Sequence, residues 1–245
     1  MKKFIKALCL ILALCSVSIL FAACSTSGFG ASKNAYFDYE NAATGYGSTI
    51  DSTKVLEAVD SMKVNDFVSS NQASDYVLIK VQDYGSIVVL LRSDIAPATV
   101  ANFKKLVSEG FYSGTIFHRI IEDFMIQGGG LIVKDNPNGN GTLIDIKEAD
   151  TISGEFTANG FLNNLKHVRG VISMARSNNY NSASSQFFIM QTATPSLNGG
   201  DAAFGYVLAG MDVVDKIAGC KDFLPDSNMP MYDIVIESIT FVEPK

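Results

Sequence analysis

Histidine occurs only twice in the 245 residues, at His118 and His167, cysteine four times and tryptophan not at all. Two histidines are too few for a histidine metal cluster, and no pair of cysteines has metal-ligand spacing. No phosphate loop, dinucleotide fingerprint or Gly-x-Ser-x-Gly elbow is present, which sets aside the chemistries those motifs serve. Counting alone leaves a Ser–His–Asp triad open, and His118 and His167 are both read as structural histidines bonded to backbone. Positive charge is scarce as well. Nineteen Lys and Arg against 25 Asp and Glu give a formal charge of −6. Nothing is left over to neutralise phosphates, which argues against nucleic acid as a partner.

Apolar residues are plentiful at 47%, enough for one sizeable core in a chain that is short for two full domains. The N-terminus follows a secretory plan, with the basic start Met1-Lys2-Lys3-Phe4-Ile5-Lys6 and then an uncharged apolar run from Ala7 to Ala23. The run closes in Leu20-Phe21-Ala22-Ala23-Cys24-Ser25, which resembles the lipobox of bacterial lipoproteins. The usual leucine three places before the cysteine is here Phe21. An uncleaved anchor, or a plain signal with a chance cysteine, is the competing reading. The resemblance implies a signal peptide over 1–23 and lipid on Cys24, holding the protein to the outer face of a bacterial cell membrane. Cys9 and Cys15 would leave with the signal, and Cys220 would remain alone, so no disulfide framework is expected. Loss of Lys2, Lys3 and Lys6 would take the charge from −6 to −9.

Residues 24–74 are rich in Ser, Thr, Asn, Ala and Gly and read as a polar tether. Within it, Val55, Leu56, Val59 and Met62 fall near helical spacing, which predicts one short helix between Ser52 and Lys63. From residue 75 to 243 the pattern tightens into a single domain. Tyr76–Val81 and Ser86–Leu91 are β-rich runs joined by the turn Gln82-Asp83-Tyr84-Gly85. Pro97 opens a helix with Val100, Phe103, Leu106 and Val107 as its stripe, and Gly110 stops it. Residues 131–159 read mostly as loops. Val168–Ala175, Gln186–Met190 and Ala203–Leu208 read as strands, Met211–Ala218 as a helix with Met211, Val214 and Ile217 on one face, and Ile234 to Phe241 as a final strand or pair. The helices do not alternate with the strands, so a parallel sheet is disfavoured. The expected fold is mainly β: an eight-stranded closed antiparallel barrel with two flanking helices, its interior filled by side chains and its active surface outside.

The densest stretch is Phe117-His118-Arg119-Ile120-Ile121-Glu122-Asp123-Phe124-Met125-Ile126-Gln127-Gly128-Gly129-Gly130. Strand alternation puts Phe117 and Arg119 on one face, and Gln127 on the face of Met125. A cation beside apolar side chains could hold a small nonpolar group next to a polar bond. A core strand with a solvated arginine fits these residues as well.

This stretch resembles the signature of the cyclophilins, a class of peptidyl-prolyl isomerases. The resemblance spans about Tyr76 to Val242. It returns in Asn164-Leu165-Lys166-His167-x-Arg169-Gly170-Val171-Ile172-Ser173-Met174-Ala175 and in Asn181-Ser182-Ala183-Ser184-Ser185-Gln186-Phe187-Phe188-Ile189, then at Leu197-x-Gly199 and Phe204-Gly205. It implies the eight-stranded barrel, cis–trans isomerisation of Xaa-Pro bonds, and proline-containing unfolded or exported polypeptides as substrates of a monomer. Rotation about the amide breaks no bond and calls for no cofactor, metal or nucleophile. By position the resemblance makes Arg119 the catalytic donor and Phe124, Met125, Phe188 and Leu197 the lining of a proline pocket. Gln127 and Gln186 would bond a substrate carbonyl. Ala175 and Arg176 would flank the residue before the proline, Arg176 through its backbone.

Two positions depart from the family. Ser196 stands where a tryptophan is frequent, which implies weak cyclosporin binding. Asp201 replaces a frequent pocket histidine and is expected to put a carboxylate on the rim. These departures motivate a second reading, a binding module or chaperone that holds proline-containing segments with little turnover.

Overall fold

A computed structural model describes residues 50–134, 143–224 and 226–245. The expected signal peptide, the lipidation site Cys24 and the tether up to residue 49 lie outside them. Among the described residues no helix is long and apolar enough to cross a membrane.

Among the described residues ten antiparallel strands form one sheet. They are β1 (Phe67–Ser69), β2 (Tyr76–Val81), β3 (Gly85–Leu91), β4 (Thr115–Ile121), β5 (Met125–Lys134), β6 (Leu143–Ile146), β7 (Val171–Met174), β8 (Phe187–Met190), β9 (Ala203–Ala209) and β10 (Ile236–Pro244). The order is β1-β10-β2-β3-β9-β7-β8-β5-β4, with β6 on β5. The sheet curls until β4 meets the chain entering β10: Ile116 bridges Val235, and the Phe117 N–H donates to the Ile234 carbonyl at 2.9 Å. This is the expected mainly β, closed fold, which removes both long edges. The β2–β3 hairpin turns through Asp83 and Gly85, both with positive φ, as its residue types require.

The strands carry apolar residues on both faces because both faces are covered. Val77, Ile79 and Val81 point inward with Ile87, Val89 and Leu91, while Tyr76, Leu78, Val88 and Leu90 face outward. The interior is aromatic: Phe103, Tyr112, Phe117, Phe187 and Phe204 pack with centroids 5.0–6.1 Å apart. Helix α2 (Pro97–Ser108) and helix α3 (Met211–Ala218) bury their predicted stripes against this inner core. Neither helix has a capping side chain of its own. Buried Glu155 receives the N–H groups of Ala98 and Thr99 at the start of α2. Asp60 receives those of Gly210 and Met211 at the start of α3. A carboxylate suits a helix N-terminus in both places, since it accepts from unpaired donors and faces the positive end of the dipole.

Two stretches differ from expectation. Residues 131–159 were expected mostly as loops, yet β5 runs on to Lys134 and pairs with β6. The predicted short helix is present as α1 (Ser52–Ala58), but the described part of the expected tether is packed against the body. Val55 is 1% and Phe67 7% exposed. Strand β1 adds to β10, and the N–H groups of Asp60 and Met62 donate to the carbonyls of Val207 and Leu208, where β3 and β9 slip register. Polar composition hid this strap because few of its side chains carry the burial.

Candidate active site

The first strand of the densest stretch does not alternate as a regular strand would. Pairing of β4 with β5 slips between Phe117, opposite Gly128, and Arg119, opposite Gln127. A bulge at this point turns Phe117 into the aromatic interior and Arg119 onto the outer face. The expectation that the two share a face is therefore corrected. Met125 and Gln127 do share the outer face, with Ile126 inward between them.

The outer face then carries one row across four strands. Arg119 on β4 lies opposite Gln127 on β5, Gln127 opposite Phe188 on β8, and Phe188 opposite Ser173 on β7. The Arg119 Nη1–H donates to Gln127 Oε1 at 3.2 Å and lies 3.9 Å from the Met125 sulfur. Gln127 in turn donates from Nε2 to Gln186 Oε1 at 3.0 Å. Among the described residues no carboxylate pairs with Arg119, so its charge is aimed by amide and sulfur alone. The glycine run explains how Gln186 comes so near. A Cβ on Gly130 would sit 2.3 Å from Gln186 Cγ, and Gly129 has φ +87.

Beside the row lies an apolar patch. Met125 and Phe188 are buried in one outer cluster, and Phe124, Ala175 and Leu197 pack on it half-exposed. Phe124 is held by the tight turn at Asp123, where Gln191 N–H donates to the Phe124 carbonyl and Asp123 N–H to Gln191 Oε1. His167 backs the patch with its ring stacked on Phe188 at 6.0 Å and 17°. Its Nδ1 meets Asn198 Oδ1 at 3.3 Å and its Nε2 meets Ser173 Oγ at 3.1 Å. The amide oxygen can only accept, so the proton sits on Nδ1. Burial, opposed by the Asn198 bond, brings the imidazole down to about 4, which keeps it neutral. Burial likewise lowers His118.

The far wall is built around Arg176. Its guanidinium donates twice to the Gly200 carbonyl and once to that of Ser177. It also lies 4.9 Å from the Phe156 ring and 5.0 Å from that of Tyr180. Asp201 pairs with it at 3.2 Å. The carboxylate expected on the rim is thus an ion-pair partner of Arg176, and burial raises its pKa while Arg176 lowers it. The Arg176 side chain is thus committed to this wall, leaving its backbone beside Ala175. Ser196 is exposed in the turn Pro195–Leu197. The sequence reading missed His167 as a brace, and Phe156 and Tyr180 as partners of Arg176. A buried stacking histidine leaves no spacing signal.

Comparison with known proteins agrees with this geometry. Residues 76–241 match the family described as cyclophilin type peptidyl-prolyl cis-trans isomerase/CLD. The chain belongs to the cyclophilin family. It is 43% identical over 148 residues to a probable peptidyl-prolyl cis-trans isomerase of Brucella suis, covering 58% of this chain and 70% of that one. It is 39% identical over 171 residues to peptidyl-prolyl cis-trans isomerase B of Escherichia coli, covering 66% and 96%. A crystal structure of a Cryptosporidium parvum cyclophilin, determined in the presence of the dipeptide Ala-Pro, superposes with a TM-score of 0.55 at 30% identity. That likeness covers 68% of this chain and 98% of that one. This cyclophilin is accordingly a peptidyl-prolyl cis-trans isomerase, and its substrates are proline-containing polypeptides. The strap over residues 50–69 precedes the part matched to the family.

Proposed function

We propose that this cyclophilin turns Xaa-Pro bonds of exported proteins outside the cytoplasm, with Arg119 as its catalytic group. The amide bond resists rotation by about 18–20 kcal/mol because nitrogen shares its lone pair with the carbonyl. As the bond twists, the prolyl nitrogen recovers that lone pair and becomes an acceptor. A donor that meets it only then lowers the barrier, since only interactions stronger in the transition state accelerate a step. Arg119 suits this role because it is permanently charged, free of a carboxylate partner among the described residues and braced by Gln127. One such preorganised donor contributes about 3–4 kcal/mol. An acceleration of about 10⁵-fold needs about 7 kcal/mol, so the side-chain amides that hold the turning carbonyl supply the remainder.

The proline ring is placed on the patch of Phe124, Met125, Phe188 and Leu197, and Gln127 and Gln186 bond the carbonyl of the turning peptide. Ala175 and the backbone of Arg176 lie beside the residue before the proline. The row Arg119–Gln127–Phe188 carries this reading, because it sets a cation, an amide and an apolar floor side by side on adjacent strands. Its test is NMR exchange spectroscopy on an Ala-Pro tetrapeptide. The wild-type chain should catalyse exchange and Arg119→Ala should be slower by two to three orders of magnitude. Peptide binding with equal exchange rates in both would instead fit a module that holds proline segments.

For location, the N-terminal pattern supports a lipid on Cys24 and attachment to the outer face of the cell membrane. Mass spectrometry of the mature N-terminus tests this, and an unmodified or missing Cys24 would refute it.

A further inference from the structure

We propose that the strap, residues 50–69, is a working part of the isomerase, and that Asn164 is a positioning residue through which it sets the proline pocket. The inference rests on the placement of that pocket around Phe188 and Leu197. The strap and the pocket share one apolar cluster on the outer face. Val55 and Phe67 belong to it together with Met125, Leu165 and Phe188, and Ile50, Val59, Phe124 and Leu197 pack at its margin. The strap lies outside the region matched to the family, 76–241, so family membership assigns it no part in the reaction.

The link is a short piece of chain. Asn164 commits both ends of its amide to the strap: Ile50 N–H donates to Oδ1 at 3.0 Å, and Nδ2 donates to the Ile50 carbonyl at 3.3 Å. Immediately before it, buried Asn163 is fixed by donating to the carbonyls of Glu155 and Ala203. Just after it, Leu165 is buried in the shared cluster. Two residues further on, His167 braces two pocket walls. Its ring stacks on Phe188, its N–H donates to Asn198 Oδ1 at 2.8 Å, and its carbonyl accepts from Thr194 N–H at 2.8 Å. Thr194 and Asn198 flank the turn that presents Leu197. With Asn163 and His167 both pinned, the chain between them has little slack. Loss of the clasp on Ile50 is therefore passed to Phe188 and Leu197. Arg119 stays in place, since its supports on β5 do not involve this loop.

A defect confined to the pocket weakens substrate and transition state alike, which raises KM and spares kcat. The test compares the full wild-type chain with Asn164→Ala and Asn164→Asp, using the Ala-Pro tetrapeptide in NMR exchange. Loss of the clasp should raise KM about 3- to 10-fold, the scale of one or two hydrogen bonds, with kcat within twofold. Asn164→Asp keeps the acceptor for Ile50 N–H and should fall between. Ile50→Pro removes the N–H from the strap side and should reproduce the rise without touching the loop. A KM within twofold of wild type in both Asn164→Ala and Ile50→Pro, or a fall in kcat at unchanged KM, overturns the proposal. A wild-type chain that failed to catalyse exchange would instead sink the pocket placement, and the two failures are told apart by that control.

Discussion

Two halves of the outer face are made of the same kinds of side chain and are used differently. One half, around Val171, Tyr206, Leu208 and Ala209, is covered by the strap, and Val55 is sealed at 1% exposure. The other half, around Phe188 and Met125, has no strap over it among the described residues. It is bordered by Arg119 and two glutamines on one side and by the Arg176 wall on the other. Apolar surface by itself makes core wherever something covers it. It becomes a site where the cover stops and fixed donors stand at the boundary. His167 lies under that boundary, stacked on the pocket floor.

Substitutions in the two halves should accordingly separate activity from stability. The largest expected effect belongs to the open half. Arg119→Ala should lower kcat/KM by about 10²- to 10³-fold, or about 3–4 kcal/mol, with Tm little changed. A matching loss of Tm would erase the distinction between the halves.

Next comes the boundary. The His167 value of about 4 in the folded protein lies below the ordinary 6.5. As pH falls, the unfolded chain takes up the proton first. The neutral histidine's contribution is complete above about pH 6.5 and drains away toward pH 4, by about 3 kcal/mol over that window. Urea titrations at a series of pH values should show this slope, and His167→Gln should flatten it. An unchanged slope in the variant would assign the effect to other groups.

The covered half responds more modestly. Val55→Ala should cost about 2 kcal/mol of stability from lost burial and the cavity left behind, with kcat unchanged for the molecules that remain folded. The smallest effect is at Asp60, whose positive φ is kept by Asp60→Gly while the cap on α3 is removed. A loss of about 1 kcal/mol is expected by thermal denaturation. If either change lowered kcat as strongly as Arg119→Ala, the strap would belong to the chemistry itself.

Much of this was legible beforehand because local rules applied. Continuous β-rich apolar runs marked β2 and β3, Pro97 and Gly110 bracketed α2, and Met211, Val214 and Ile217 marked α3. The site row was legible through the resemblance, which supplied positions rather than geometry. What escaped depended on partners far along the chain. The bulge that parts Phe117 from Arg119 depends on how β4 pairs with β5, and no spacing within β4 announces it. Asp201 was placed on the rim, but its pairing with Arg176 had no signal in the sequence. The strap looked like a tether because its composition is polar, while its burial rests on a few residues such as Val55 and Phe67 meeting β9 and β10.

The sequence by itself determined most of the strands, the helices, the family and a cation close to apolar residues, since those follow from periodicity and from blocks of residues in a fixed order. Only the tertiary structure decided which outer half is covered, which carboxylates cap helices and which pair with arginine, and which way Arg119 points. Each of those depends on a contact between segments distant in sequence, such as Ile50 with Asn164 or Asp60 with Gly210. Such contacts exist only once the sheet has closed.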